Sequence, residues 1–417
     1  MISLSSPVCA SAWYCAGNNE RNIKEMAINI AIMGFGTVGS GVAETLDVNK
    51  DVISKRIGKE INVKYILDIR DFPDSKFASL VTHDADEVFN SDIQIAVETI
   101  GGARIAYEYT KRALSKGISV VTSNKELVST KGPELLEIAA KNNCCYLFEA
   151  AVGGGIPIIR PLYKCLAANK ITRIAGIVHG TTNYILSQMK DEGLDFVTAL
   201  KQAQENGFAE ANPSADIDGI DAQRKLSILS TIANDGDYIA PESISAEGIS
   251  AITTDDMAFA RSIGCDIKLI ALYEAGEKPV AYVAPALVEK SNLLYNVNGV
   301  FNAIMVDGNS LGQAMFYGQG AGTLPTASAV CGDVLEAAMG NPSEARAWTS
   351  ESVEITPYDE IFADIVIRVD NAAEVVVKGY SCVYLSEEAI LVSGIKHKDI
   401  EALVAMTGAK SWMHYLK

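Results

Sequence analysis

No Cys-x-x-Cys pair occurs among the eight cysteines, and the four histidines, His83, His179, His397 and His414, are scattered without the spacing of a zinc site. Structural zinc and dithiol redox chemistry drop out, each histidine reads as an ordinary surface or core residue, and the cysteines read as reduced thiols of a cytoplasmic protein. The one adjacent pair, Cys144 and Cys145, falls in an apolar run patterned as a buried strand. No apolar stretch approaches the roughly 20 residues that span a bilayer, so a soluble chain without membrane attachment is expected. Positive charge is short as well: 35 Lys and Arg stand against 52 Asp and Glu, a net charge of -17. That balance removes the electrostatic footprint of a binder of nucleic acid or anionic membrane and leaves small molecules or protein chains as partners. Residues 1–25 lack the basic start of a secretory signal and are expected to form a disordered leader or an extension from an upstream start codon. Internal repeats and low-complexity tracts are lacking too.

At 417 residues, 48% hydrophobic and 21% charged, the chain is too long for one ordinary core and should divide into two or three domains. Short apolar runs at Ile28 to Met33, Val63 to Leu67, Ile93 to Val97, Ile118 to Val121 and Cys145 to Phe148 alternate with helical stretches such as Tyr107 to Ser115 and Glu134 to Lys141. Strands alternating with helices predict an α/β fold, a Rossmann-type doubly wound parallel sheet, over 26–155. The pattern changes at Gly153-Gly154-Gly155-Ile156-Pro157. A second unit, α+β, is expected over 156–315, with a strand from Ile171 to Val178 and helices at Phe196 to Glu205 and through Ala222, Leu226, Leu229 and Ala233. The glycine-rich Tyr317 to Thr326 and the helix behind it, about 316–340, should complete the first unit. Residues 341–360 read as a polar linker, and 361–417 as a small α/β module with strands at Phe362 to Val369, Val375 to Leu385 and Ile390 to Val392 and a helix at Asp399 to Thr407.

Chemistry-bearing signals begin at Gly34-Phe35-Gly36-Thr37-Val38-Gly39, which follows a strand and opens a helix marked by Val38, Val42 and Leu46. In that context a GxGxxG is a dinucleotide fingerprint: Gly34 for the tight turn, Gly36 for close approach to the pyrophosphate, Gly39 for helix-to-strand packing. The second strand ends in Asp68-Ile69-Arg70, so an acid suited to the ribose hydroxyls of NAD and a base suited to the 2'-phosphate of NADP stand side by side, and the sequence leaves both cofactors open. Lys125, in Ser123-Asn124-Lys125 where another strand ends, should point toward the cofactor crevice. Glu210, Asp216, Asp221 and Lys225 fall in one short segment. Asp221 and Lys225, four apart, share a helix face. A solvated ion pair and a pocket for a zwitterionic ligand both fit that spacing.

Taken together these segments resemble homoserine dehydrogenase, from about Ile28 to about Val334. The resemblance is carried by Gly34 to Gly39, Val97-Glu98-Thr99-Ile100-Gly101-Gly102, Ser123 to Lys125, Glu149-Ala150-Ala151-Val152-Gly153-Gly154-Gly155-Ile156-Pro157, Gly180-Thr181-Thr182-Asn183-Tyr184-Ile185-Leu186, Glu210 to Lys225 and Gly320-Ala321-Gly322-Thr323-Leu324-Pro325-Thr326 onward. It implies hydride transfer between NAD(P) and the carbon that is alcohol in L-homoserine and aldehyde in L-aspartate 4-semialdehyde, in the synthesis of threonine, methionine and isoleucine. It further implies that Lys225 and Lys125 stand at the reacting oxygen, with Lys225 favoured as acid/base and Asp221 holding it. Glu210 and Asp216 would hold the substrate's ammonium end, and backbone at Gly180 and Thr181 would line its pocket. Gly34, Phe35, Gly36, Thr37, Val38, Gly39, Asp68, Arg70, Ser123, Lys125, Gly320 and Gly322 would line the cofactor site. Glu149, Val152, Gly154 and Ile156 match a site where mostly backbone carbonyls hold a structural, sodium-like cation. The family pattern is a homodimer or higher homo-oligomer joined through the sheet of the substrate domain.

Two departures stand out. Gln319 replaces the arginine expected before Gly320. The tail matches an ACT regulatory module only in part, because no helix of normal length follows Phe362 to Val369; Ile390 to Leu416 fits, and a stabilising or oligomerising tail outranks a threonine-sensing one. Two other functions compete: aspartate-semialdehyde dehydrogenase, which needs a cysteine nucleophile in a glycine-polar loop that is lacking here, and a non-catalytic nucleotide-binding regulator, which would not need Lys125, Asp221 and Lys225.

Overall fold

The computed structural model describes residues 27–210, 212–340 and 347–417. The expectation for a leader over 1–25 lies outside the described residues. Six short strands, β1 (Ile28–Met33), β2 (Ile61–Leu67), β3 (Val81–Thr82), β4 (Ile95–Glu98), β5 (Ser119–Thr122) and β6 (Tyr146–Leu147), form one sheet in the order β3-β2-β1-β4-β5-β6. Every pairing is parallel. Such strands are buried on both faces, which is why β1 and β4 are apolar runs rather than alternating ones. The order reverses between β1 and β4, and a crevice opens at the carboxyl ends there.

One face of this sheet is covered by a helix from far along the chain. The Thr323–Met339 helix lays Ala327, Val330, Val334 and Ala338 against Ile30, Ile32, Val42 and Leu46. It approaches the Thr37–Val48 helix so closely that a Cβ at Gly41 would lie 2.9 Å from Thr323 Cγ2. On the other face the Lys125–Lys141 helix runs unbroken through Pro133, where the sequence suggested a start at Glu134. The ring removes the hydrogen bond to the carbonyl four residues back. The Tyr238 hydroxyl donates to that orphaned Ser129 carbonyl instead, at 2.7 Å.

The second sheet contains β7 (Ile171–Ile177), β8 (Ser245–Ala246), β9 (Cys265–Glu274), β10 (Val280–Glu289), β11 (Phe301–Gly308), β12 (Gly312–Gln319), β13 (Phe362–Arg368), β14 (Ser381–Ser386), β15 (Ala389–Lys396) and β16 (Ser411–Leu416). Its order is β12-β11-β7-β9-β10-β16-β13-β15-β14, with β8 beside β10. The helices Gly180–Glu192 and Ile220–Ala233 pack on β9. Parallel pairing of β10 with β16, from Ala286 and His414 to Val288 and Leu416, makes the tail a continuation of this sheet.

In the tail and linker one expectation holds and two change. Between β13 and β14 stands only the three-residue turn Ala372–Glu374, as the missing helix foretold. The strand expected at Val375 to Leu385 begins instead at Ser381, because Gly379 turns the chain with a φ of +87° while Val375 and Val377 pack on the tail's own core. Residues 341–346 of the expected linker lie outside the described residues, but 347–358 is packed against the body. Trp348 is 5% exposed, its ring 5.6 Å from Phe148 and 6.2 Å from Tyr238, and its indole N–H donates to the Tyr163 hydroxyl at 3.0 Å. Among the described residues no helix is long and apolar enough to cross a membrane.

Candidate active site

The turn from β1 into the Thr37–Val48 helix gives each fingerprint glycine a distinct task. Gly34 has a φ of +92°, and a Cβ there would lie 2.8 Å from the Thr99 carbonyl oxygen. A Cβ at Gly39 would strike the Gly34 carbonyl, so only glycine lets the helix close on the strand end. Gly36 is different: its nearest neighbour would be Arg70 Nη2 at 3.9 Å, which leaves room above it. It caps the helix without a side-chain acceptor, so the first-turn N–H groups stay available to an anion. The residues present thus fit a dinucleotide. Thr37 opens the helix, whereas Phe35 turns inward, its ring 5.0 Å from Phe72 and 6.2 Å from Phe77.

Beside this turn a cavity of about 540 Å³ is lined by Gly34, Gly36, Asp68, Arg70, His83, Thr99 and Tyr109 among others. Asp68 is tied on both oxygens. Oδ1 accepts from the Arg70 backbone N–H and Nε, both at 3.0 Å, and Oδ2 accepts from Phe35 N at 2.7 Å and Arg70 Nη2 at 3.1 Å. Burial works to raise this carboxyl, but the bonds from Arg70 and Phe35 outweigh it and hold it at about 2. His83 joins the same rim, with Nδ1 2.6 Å from the Asp68 carbonyl oxygen and Nε2 3.1 Å from Asp71 Oδ1.

A second cleft, of about 580 Å³, lies between the two sheets and is lined by Val38, Ser123, Lys125, Gly154, His179, Gly180, Thr181, Phe208, Asp221, Lys225, Gln319, Gly320 and Gly322 among others. Lys125 opens the Lys125–Lys141 helix, whose cap, Asn124, accepts from Leu127 N at 3.1 Å. Asp221 and Lys225 stand on the first turns of the Ile220–Ala233 helix. The structure places the buried Asp221 carboxylate between two lysines. Lys125 Nζ is 2.7 Å from Asp221 Oδ1, and Lys225 Nζ is 2.9 Å from Oδ2 and donates to the Val178 carbonyl at 2.8 Å. Burial pushes the Asp221 carboxyl up, but Lys225, His179 and Lys125 overcome it and hold it well below the usual carboxylate range. For Lys225, burial and the charge of Lys125 lower the ammonium pKa against the pull of Asp221, and the net direction is down.

The reading of His179 as an ordinary histidine needs correction. Its Nε2 lies 3.1 Å from Asp216 Oδ1 and 3.2 Å from Asp221 Oδ2, so it bridges the two acids at the cleft wall. The signal was one residue outside the motif beginning at Gly180. Gly180 packs under Val300, where a Cβ would lie 2.9 Å from its carbonyl oxygen, and Thr181 Oγ1 donates to the Phe208 carbonyl at 2.6 Å, tying the 206–208 loop over the cleft. Glu210 is exposed on the continuation of that loop, and the structure does not bring its side chain into the cleft lining. At Gly320 a Cβ would strike the Asn302 carboxamide, and Gly322, at φ +120°, caps the Thr323–Met339 helix. The Glu149 carboxylate is spent on the backbone N–H groups of Ile158, Ile159 and Arg160, at 2.6, 2.9 and 2.7 Å. Gly153 and Gly154, with φ of +74° and +54°, fold the loop around it. A cation there would have main-chain carbonyls as its donors, which suits a hard monovalent ion.

A family model described as the NAD binding domain of homoserine dehydrogenase matches residues 34–149, and one for homoserine dehydrogenase matches 157–335. A homoserine dehydrogenase of Neisseria gonorrhoeae is 37% identical over 394 residues, covering 89% of this chain and 88% of the relative. One from Synechocystis is 42% identical over 320 residues, 74% and 73% of the two chains. The chain belongs to the homoserine dehydrogenase family. The crystal structure of a homoserine dehydrogenase from Thiobacillus denitrificans superposes with a TM-score of 0.81 at 32% identity, covering 94% of this chain and 98% of that one. A hyperthermophilic archaeal homoserine dehydrogenase in complex with NADPH superposes at 0.65, with 31% identity over 76% and 99%. The activity is therefore the NAD(P)-dependent interconversion of L-homoserine and L-aspartate 4-semialdehyde. No cysteine is among the residues lining the 580 Å³ cleft, which argues against the thioester route of an aspartate-semialdehyde dehydrogenase.

Proposed function

We propose that Lys225 moves the proton of this reaction, that Asp221 fixes its position, and that Lys125 polarises the same substrate oxygen. The observation carrying this reading is the buried Asp221 carboxylate, held at 2.7 and 2.9 Å by a lysine from each side of the cleft. The bound nicotinamide supplies or accepts the hydride. In the oxidising direction a neutral Lys225 amine takes the hydroxyl proton as the carbonyl forms; in the reducing direction its ammonium returns it. Lys125 stabilises the developing oxyanion. Asp216, oriented by His179, receives the substrate's ammonium, joined by Glu210 once its loop turns the side chain inward, while Gly180 and Thr181 bound its other end. Gly34, Gly36, Gly39, Gly320 and Gly322 shape the dinucleotide seat.

NADP is the proposed preference over NAD. Both oxygens of Asp68 are already engaged by Arg70 and the Phe35 N–H, which leaves little capacity for ribose hydroxyls, and the exposed Arg70 guanidinium suits a 2'-phosphate. The Glu149 to Ile156 loop is proposed to hold a sodium-like structural cation through main-chain carbonyls. The division into nucleotide-binding, substrate and tail units at 26–155 with 316–340, 156–315 and 361–417 is part of the same proposal. So are a cytoplasmic location and a homodimer joined at the second sheet, whose β12 edge exposes Met315 and Tyr317, with Leu311 in the turn before it. The test is reduced-nicotinamide absorbance with L-homoserine at alkaline pH, NADP and NAD in parallel, on the wild type and Arg70→Ala. A higher kcat/KM with NADP that Arg70→Ala abolishes supports the preference; an unchanged ratio overturns it.

A further inference from the structure

The segment Val97-Glu98-Thr99-Ile100-Gly101-Gly102 has no role in the mechanism above, yet it ends β4, the strand beside which the sheet order reverses. Glu98 pairs in register with Met33 on β1 and Thr122 on β5, so its carboxylate stands under the crevice that a dinucleotide crosses. Thr99 Oγ1 donates to the Gly34 carbonyl at 2.7 Å and braces the glycine turn. Glu98 is fully buried; its Oε1 accepts from Ile100 N at 2.7 Å and its Oε2 from Thr122 Oγ1 at 2.6 Å. Thr122 Oγ1 accepts in turn from Asn124 N at 2.9 Å, and Asn124 Nδ2 donates to the Gly102 carbonyl at 2.9 Å. One carboxylate thus joins the loop lining the nucleotide cavity to the turn that presents Lys125.

Both donors to Glu98 are neutral, one to each carboxylate oxygen, and no ion pair to Glu98 is found among the described residues. An unpaired ionised carboxylate in such a place is costly unless a positive charge arrives. Burial pushes this carboxyl up to about 7, so both protonation states are populated near neutrality. The cofactor is the one partner whose charge at this crevice changes in turnover, since its ring is cationic when oxidised and neutral when reduced.

We infer that Glu98 is a proton-linked positioning residue for the cofactor: its ionised form favours the oxidised dinucleotide and its neutral form the reduced one. Other titratable groups around it are accounted for. Tyr146, on the same sheet face, is buried and kept protonated in part by Glu98's own charge. Lys125 is paired with Asp221, while Tyr107, Lys111 and Glu134 contact one another. Asp333, on the helix across the sheet, faces Arg160 and Glu149. His83 titrates at the Asp68 rim, where oxidised and reduced cofactors are identical, so it cancels from their ratio.

The inference rests on the dinucleotide seat described above, and its test keeps the two separable. Dissociation constants for NADPH, by fluorescence, and for NADP, by competition, are measured on the full chain without substrate between pH 5.5 and 8.5. The ratio of the reduced to the oxidised constant should rise about three- to tenfold through neutrality in the wild type, the size of one partly screened charge contact. In Glu98→Gln it should be flat. Thr122→Val, which keeps the carboxyl and removes a bond to its ionised form, should retain the rise with its midpoint moved upward, and it serves if Glu98→Gln does not fold. A wild-type ratio independent of pH, or a Glu98→Gln ratio that still follows the wild-type curve, overturns the inference. Failure to bind either dinucleotide would overturn the seat as well.

Discussion

Among the described residues two buried aspartates each bridge a pair of lysines, and only one of these arrangements opens on the 580 Å³ cleft. In the first, Asp221 lies between Lys125 and Lys225; in the second, Asp266 Oδ2 is 2.9 Å from both Lys190 and Lys268. Both aspartates are buried, and both inner lysines donate to a backbone carbonyl at 2.8 Å. The difference is in the third proton. Lys268 also donates to Asn298 Oδ1 at 2.9 Å, so Asp266, Val297 and Asn298 take all three of its N–H groups. Lys225 has two such acceptors, Asp221 and Val178, and its remaining N–H borders the cleft. Burial lowers the pKa of both lysines, so the spare donor makes the difference: Lys268, with a full set of acceptors, is a strut for the 297–301 loop, whereas Lys225, with a donor free to face the cleft, is equipped for proton transfer.

Removing each inner lysine should break the parallel most sharply. Lys225→Ala is expected to lower the turnover of the folded protein by roughly 10² to 10⁴. Both substitutions take a partner from a buried pair, a loss of about 3 to 5 kcal/mol visible in urea unfolding, but in Lys268→Ala the folded fraction should keep its kcat. If Lys268→Ala abolished turnover at unchanged stability, the distinction between strut and catalyst would fail. His179→Gln should have a smaller effect, about tenfold in kcat/KM for homoserine, since it loosens Asp216 and Asp221 without removing either; KM for the dinucleotide should stay put.

Acidity sharpens the contrast further. Homoserine oxidation needs the neutral amine, so kcat should rise with pH, with a midpoint below the roughly 10.4 of an ordinary lysine because burial and Lys125 favour loss of the proton. In Asp221→Asn the stronger of the two carboxylates opposing that loss is neutralised, leaving Asp216, and the midpoint should move lower still while the maximal rate falls. A midpoint that moved upward would mean that another group titrates in the profile.

The nucleotide half was legible because its information is local: strand, three glycines and a helix register are all set within a dozen residues. The two-residue β3 was too short to be seen, and the start of the Lys125–Lys141 helix was hidden by Gly132-Pro133. Neither break is real, because Tyr238 satisfies the freed carbonyl and Gly132 makes room for the Trp348 ring. At the active site the Asp221 and Lys225 spacing was readable as a shared helix face. Lys125 reaches Asp221 across 96 positions and His179 reaches it across 42, contacts created only when two sheets meet. The buried strands β9 and β10 carry little alternation to mark which face they present, so the second sheet and its junction with the tail emerged only in three dimensions.

The most direct test of proton transfer by Lys225 is chemical rescue: homoserine oxidation by Lys225→Ala and Lys125→Ala is followed at alkaline pH while small primary amines are titrated in. The expected result is a rate in Lys225→Ala that climbs with amine concentration and basicity, with no comparable gain in Lys125→Ala. Near-wild-type turnover of Lys225→Ala without amine, or rescue confined to Lys125→Ala, would contradict it.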